Sequence, residues 1–144
     1  MRPLLICALL FIGLAATAQS APETISAKFF DLYKNQGSDS AINYLFSTNR
    51  YSPDSADKIS DLRNRLQTAI QNNGTYWGYD LLSKRTAGEN FQLFTFLIRH
   101  DRAPLIFRIT FYRPFSKWQV QNFQFDSNTT AELQDAAPKK SAGN

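Results

Sequence analysis

The chain is poor in sulfur and imidazole: among its 144 residues there is one cysteine, Cys7, one methionine and one histidine, His100. A lone cysteine cannot close an internal disulfide, and Cys7 lies inside an apolar leader that is expected to be removed. The mature chain then has no thiol for catalysis and no thiolate metal site, and a single histidine excludes imidazole clusters. No metal and no cofactor is expected. Long apolar runs are also scarce. The one candidate, Leu4 to Ala15, falls short of the about 20 residues that a bilayer span requires.

That run follows Arg2 and ends in the small residues of "AATAQSA". A basic start, a short apolar stretch and an A-x-A-like exit are the marks of a secretory signal peptide over residues 1–20, cleaved after Ala18 or Ser20. Cys7 precedes most of the apolar run, which excludes a lipid-anchor reading. The expectation is a secreted or periplasmic protein with no permanent membrane anchor, folding as one domain over residues 21–126. Residues 127–144 are read as a flexible tail, apart from a turn of helix near Ala131 to Asp135.

Charge of either sign is modest. With Arg2 in the leader, 15 basic residues face 12 acidic ones, a net of +3 that belongs to the second half, where Lys84, Arg85, Arg99, Arg102, Arg108, Arg113 and Lys117 outnumber Asp80, Glu89, Asp101 and Asp126. This reads as a solvated basic face. Basic residues interleave with aromatics in "FRITFYRPFSKW". Export, the small excess and the assignment of most of those aromatics to the core argue against nucleic acid.

What the chain does have is a change of period. Ile25, Phe29, Leu32 and Tyr33 recur at helical spacing between Pro22 and Gly37. Ala41, Ile42, Leu45 and Phe46 make a second stripe, capped by Ser38 or Asp39. Ile59, Leu62, Leu66, Ala69 and Ile70 make a third, started by Ser52-Pro53 and stopped at Asn73-Gly74. From Tyr76 onward the period is two, in four runs: Tyr76 to Arg85, Asn90 to Arg99, Pro104 to Arg113 and Lys117 to Asp126. Short polar breaks between them predict an antiparallel meander.

Matching the breaks gives a register. Phe94, Phe96 and Ile98 oppose Ile109, Phe107 and Leu105 on one apolar face, and Leu81, Tyr79 and Trp77 are expected opposite Phe94, Phe96 and Ile98. Phe111 opposes Val120, but Phe123 and Phe125 reach the same face only if one residue is inserted near Gln121-Asn122, which predicts a β-bulge and a bent sheet. The fold class is therefore α+β, with the N-terminal helices packed on one face of a bent four-stranded antiparallel meander. On the other face Asp80, Thr95, Arg108 and Gln124 fall in one row, with Tyr112 beyond.

Two candidate surfaces result. Asp80, Arg108, Tyr112 and Gln124 form a polar binding or interface patch, suited to a homodimer or protein partner on the outer sheet face. Trp77, Tyr79, Phe96, Phe107 and Trp118 are candidates to line an apolar pocket for a small apolar or aromatic ligand. Catalysis is not assigned to any residue. His100 is placed at a hairpin tip between Arg99 and Arg102, where solvent replaces the closed pocket that a general base needs. Tyr79 and Asp80 point to opposite faces of their strand and cannot act as an acid and base pair.

Helices before a long, bulged four-stranded meander resemble the nuclear-transport-factor-2-like superfamily, with its cone-shaped, cystatin-like α+β fold. The part from Tyr76 to Asp126 resembles a group of exported, functionally uncharacterised bacterial proteins of that type. The resemblance rests on the Tyr-x-Gly-Tyr of Tyr76 to Tyr79, the Asp-Arg-x-Pro-Leu of Asp101 to Leu105, and the Phe-Tyr-x-Pro with a later Trp at Phe111 to Trp118. Enzymes of the superfamily carry Asp, His or Tyr inside the cone. Here the expected core face of the strands has neither Asp nor His, so the resemblance implies the fold and not the activities. The sequence thus points to a non-catalytic module for a small ligand or a protein partner. The alternative is a small-molecule isomerase, dehydratase or hydrolase working in the cone pocket.

Overall fold

Pro22 opens the first helix because the N–H that proline lacks is one that a first helical turn leaves unpaired in any case. In the computed structural model, which describes residues 21–136, helix α1 runs Pro22–Gln36, α2 Ser38–Ser47 and α3 Ala56–Asn73, the last preceded by a 3₁₀ turn at Ser52–Ser55. The proposed signal peptide and residues 137–144 lie outside the described residues. Gly37 alone separates α1 from α2, with φ of 90°, a conformation that costs glycine little. Ser38 does not cap α2. It is the helix's first residue, and its Oγ donates to Gln67 Oε1 of α3 at 2.9 Å, tying the two helices together.

Strands β1 (Tyr76–Thr86), β2 (Phe91–His100), β3 (Leu105–Tyr112) and β4 (Gln119–Asp126) form one antiparallel sheet in the order β1-β2-β3-β4. Helices α1 to α3 precede the strands, and the class is α+β. The expected pairs Phe94 with Ile109, Phe96 with Phe107 and Ile98 with Leu105 are all present. So are Phe111 with Val120, Ile109 with Phe123 and Phe107 with Phe125, with a register shift that leaves Gln121 as the bulged residue. The bulge turns Phe123 and Phe125 to the face that already carries Phe107 and Ile109. Burial of Phe29, Phe94, Phe107, Phe111, Ile25, Ile42, Leu45 and Leu66 joins the helical stripes to this face in one core.

Strand β1 departs from expectation. It carries two bulges, at Trp77 and Leu82, so that Leu81 pairs with Phe96, Tyr79 with Ile98 and Tyr76 with His100. Asn90 stands outside the β1 pairing, in which Arg85 meets Leu93. Its carbonyl accepts from the Arg113 N–H at 2.9 Å and its side-chain oxygen from Arg113 Nε at 2.9 Å, which commits Asn90 to β3 and lengthens the hairpin. Trp77 therefore leaves the core face, and Lys84 enters it. The Lys84 ammonium lies 5.0 Å from the centre of the Phe94 ring and meets Glu23 Oε1 of α1 at 2.6 Å. No helix among the described residues is long and apolar enough to cross a membrane.

Candidate functional site

Helix α4 (Thr129–Ala136) lies against the outer face of the sheet. The turn of helix expected near Ala131 to Asp135 is thus a docked helix of eight residues, and the rest of the expected tail, 137–144, lies outside the described residues. Arg108 projects from β3 beneath it and is paired with two carboxylates, Asp126 of β4 and Glu132 of α4. The Arg108 side chain is only 23% exposed, so these charge-assisted bonds work with partial shielding from water. Burial acts against the guanidinium's charge, but hydrogen bonds and the fields of Asp126 and Glu132 outweigh it and hold Arg108 above its ordinary range. Arg85 of β1 reaches Asp135 at 2.8 Å, a second tie to α4.

The expected polar row is corrected at one end. Thr95, Arg108 and Gln124 do lie side by side, but the β1 residue in line with them is Ser83. The bulge at Leu82 shifts Asp80 next to Leu97, where its carboxylate meets Arg99 Nε at 3.3 Å. Asp80 and Arg108 do not pair. Tyr112 is at the far end of the face, edge-on to Phe91, and both rings are partly exposed. Asp80, Arg108 and Tyr112 therefore do not converge in a cavity.

Between α4 and the sheet lies a cleft of about 490 Å³. Leu82, Leu97, Pro104 and Ile106 line it from the sheet side and Leu133 from α4, together with the charged Arg85, Glu132 and Asp135. Leu133 is 71% exposed, an unusual position for a leucine on a docked helix. Sequence reasoning missed the cleft because α4 has almost no large apolar residue. One signal was present: Glu132 and Asp135 are three residues apart, on one helical face, and match the surplus of arginines on the strands.

Compared with protein-family models, curated proteins and solved structures, the chain finds no match. The reading of the site accordingly rests on its chemistry.

The residues expected to line one apolar pocket are dispersed. Phe96 and Phe107 are core, 2% and 0% exposed. Trp118 is buried at the opposite end of the sheet, under the guanidinium of Arg113. Tyr79 stacks on Phe30 of α1, with ring centres 3.7 Å apart. Trp77 is pushed outward by its bulge.

His100 is the largest correction. It is not a solvent-facing turn residue: as the last residue of β2 it shares the parity of Ile98 and is 9% exposed. Its Nε2 lies 3.3 Å from the Tyr33 hydroxyl, and the Tyr33 and Tyr76 rings meet it edge-on. Nδ1 is buried with no hydrogen-bond partner among the described residues. Burial lowers the affinity of His100 for a proton, against a smaller opposing pull from Asp101. Burial also drives the Tyr33 phenol well above its ordinary range and pushes Tyr76 up to about 12, with Tyr79 adding to that rise and Arg99 opposing it. These groups stay neutral near pH 7, and none of the clefts described here is lined by His100. Such a histidine is placed to hold the core, not to exchange protons with a substrate.

Proposed function

We propose that the protein is an exported, non-catalytic binding module of nuclear-transport-factor-2-like architecture, and that it takes one small apolar ligand between α4 and the outer face of the sheet. The observation that carries this reading is the gathering of Leu82, Leu97, Pro104, Ile106 and Leu133 around one cleft whose charged residues, Arg85, Glu132 and Asp135, are all engaged in ion pairs. A volume of about 490 Å³ suits a ligand of drug-like size. The solidly filled core argues against a substrate inside the cone. Export is supported by the order of basic, apolar and small residues at the start of the chain.

Leu82 and Leu133 are both exposed, so Leu82→Asp and Leu133→Asp are expected to leave the urea midpoint unchanged. Titration with the uncharged dye Nile red should give saturable fluorescence enhancement in the natural chain and little in either variant. Equal enhancement in all three would overturn the assignment. A second reading, docking of another copy on this face, is favoured by the exposed Phe91 and Tyr112 pair at its far end. It requires association that depends on protein concentration in sedimentation and is lost in Tyr112→Asp.

A further inference from the structure

A different surface, formed by α1, the start of β1 and the end of β2, carries an inference independent of the α4 cleft. The bulge leaves Trp77 68% exposed, beside Tyr76 and the Tyr79 ring that rests on Phe30. Gly78 follows with φ of 141°, and a Cβ there would stand 2.6 Å from Nη2 of Arg99. Glycine thus allows the guanidinium to lie across the strand. Arg99 is held on one side only, through Nε to Asp80 at 3.3 Å. Lys34, in the last turn of α1, forms the other cationic point of the groove and has no ion-pair partner among the described residues.

One acidic residue lines the same groove, Asp31, and its carboxylate is engaged along its own helix. One oxygen accepts from Asn35 Nδ2 at 2.9 Å, and the other faces Lys28 Nζ at 3.4 Å. The groove, about 600 Å³, thus combines flat aromatic faces with Lys34, which has no ion-pair partner among the described residues, and Arg99, which Asp80 engages through Nε. Single exposed aromatics are ordinary on protein surfaces. A bulged indole, two tyrosines and two cations around one depression are a recognisable combination: ring faces for stacking, and a forked donor with a point charge for an anion. We propose that this groove binds a small aromatic carboxylate, its ring against Trp77 and Tyr79 and its carboxylate between Arg99 and Lys34.

The chain has two tryptophans, and the second, Trp118, is buried far from the groove and serves as an internal reference. The test is titration of the ¹⁵N-labelled full chain with naphthoate, following both indole N–H resonances. The Trp77 resonance should move saturably while that of Trp118 stays fixed, and the neutral naphthalenemethanol should bind at least about tenfold more weakly, as expected for loss of charge-assisted bonds. Arg99→Gln and Lys34→Gln should each weaken naphthoate, with Lys34→Gln leaving the urea midpoint unchanged because that side chain is exposed. Absence of a saturable Trp77 shift overturns the proposal. So does equal binding of acid and alcohol, or equal binding by the natural chain and Lys34→Gln. Leu133→Asp should not alter naphthoate binding, which separates this site from the α4 cleft.

Discussion

Tyr33 and His100, 67 positions apart in sequence, meet inside the core through a 3.3 Å contact between the phenol oxygen and Nε2. Either neutral tautomer leaves Nδ1 unpaired, and protonation would add a buried N–H with no acceptor. Burial is the main reason that folded His100 takes up a proton at lower pH than the unfolded chain, whose histidine titrates near 6.5. Below that pH the unfolded state binds more protons, so the stability contribution is complete above it and declines as pH falls toward the folded-state value. Urea midpoints should decrease between about pH 7.5 and 5.5, and His100→Gln should flatten that slope. An unchanged slope in the variant would assign the acid sensitivity to other groups.

Asp101, beside His100, should be structural. Its Oδ1 accepts the Thr75 N–H at 2.9 Å, while its own N–H donates to the Thr75 carbonyl at 3.1 Å, fastening the β2–β3 turn to the corner between α3 and β1. Gly74, at φ of 84°, leaves the room that this carboxylate fills. Asp101→Ala should cost about 1–2 kcal/mol, and Gly74→Ala at least about 1 kcal/mol through the same loss plus backbone strain. Chemical denaturation measures both. Neutral behaviour of Asp101→Ala would show that the turn holds without its carboxylate.

Arg108→Ala leaves Asp126 and Glu132 facing each other without their shared cation. The expected loss is roughly 1–3 kcal/mol, and α4 should detach locally before the sheet melts. Amide exchange separates the two events: protection should fall at Ala131 to Asp135 and persist at Phe107 and Ile109. Arg85→Ala, at a tie whose partners are both well exposed, should have a much smaller effect.

The Gln121 bulge makes an asymmetric prediction about length. Deleting Gln121 brings Asn122 directly after Val120, still opposite Thr110, and retains every pair beyond it. Inserting one alanine after Asn122 rotates Phe123 and Phe125 to the outer face, with an expected loss of about 3–6 kcal/mol from two aromatic side chains. Thermal unfolding should therefore rank the insertion as far more damaging than the deletion.

The legibility of this sequence follows its bulk. Strands β2, β3 and β4 alternate large apolar residues with small or polar ones, so parity alone locates the bulge and pairs Ile109 with Phe123. Strand β1 has apolar or aromatic residues on both faces, and two inserted residues of that kind, Trp77 and Leu82, cannot be told from core positions by period. The inward aim of His100 is hidden for a related reason. Its charged neighbours suggested a turn, but the strand extends one residue further than that cluster implies, and parity then directs His100 inward. The outer cleft depends on α4, whose docking is carried by ion pairs to residues 24 and 50 positions away, a signal that leaves no periodic trace.

Both margins of the sheet are interrupted. Along β4 the outward N–H and carbonyl of Val120 are taken by Thr48 Oγ1 at 2.9 Å and Asn49 Nδ2 at 3.1 Å, from the end of α2. Along β1 the two bulges interrupt the row of free backbone groups that a neighbouring strand would need. A neighbouring strand would therefore meet an interrupted template at each margin, and the β1 irregularity that disfavours such pairing is the one that aims Trp77 outward.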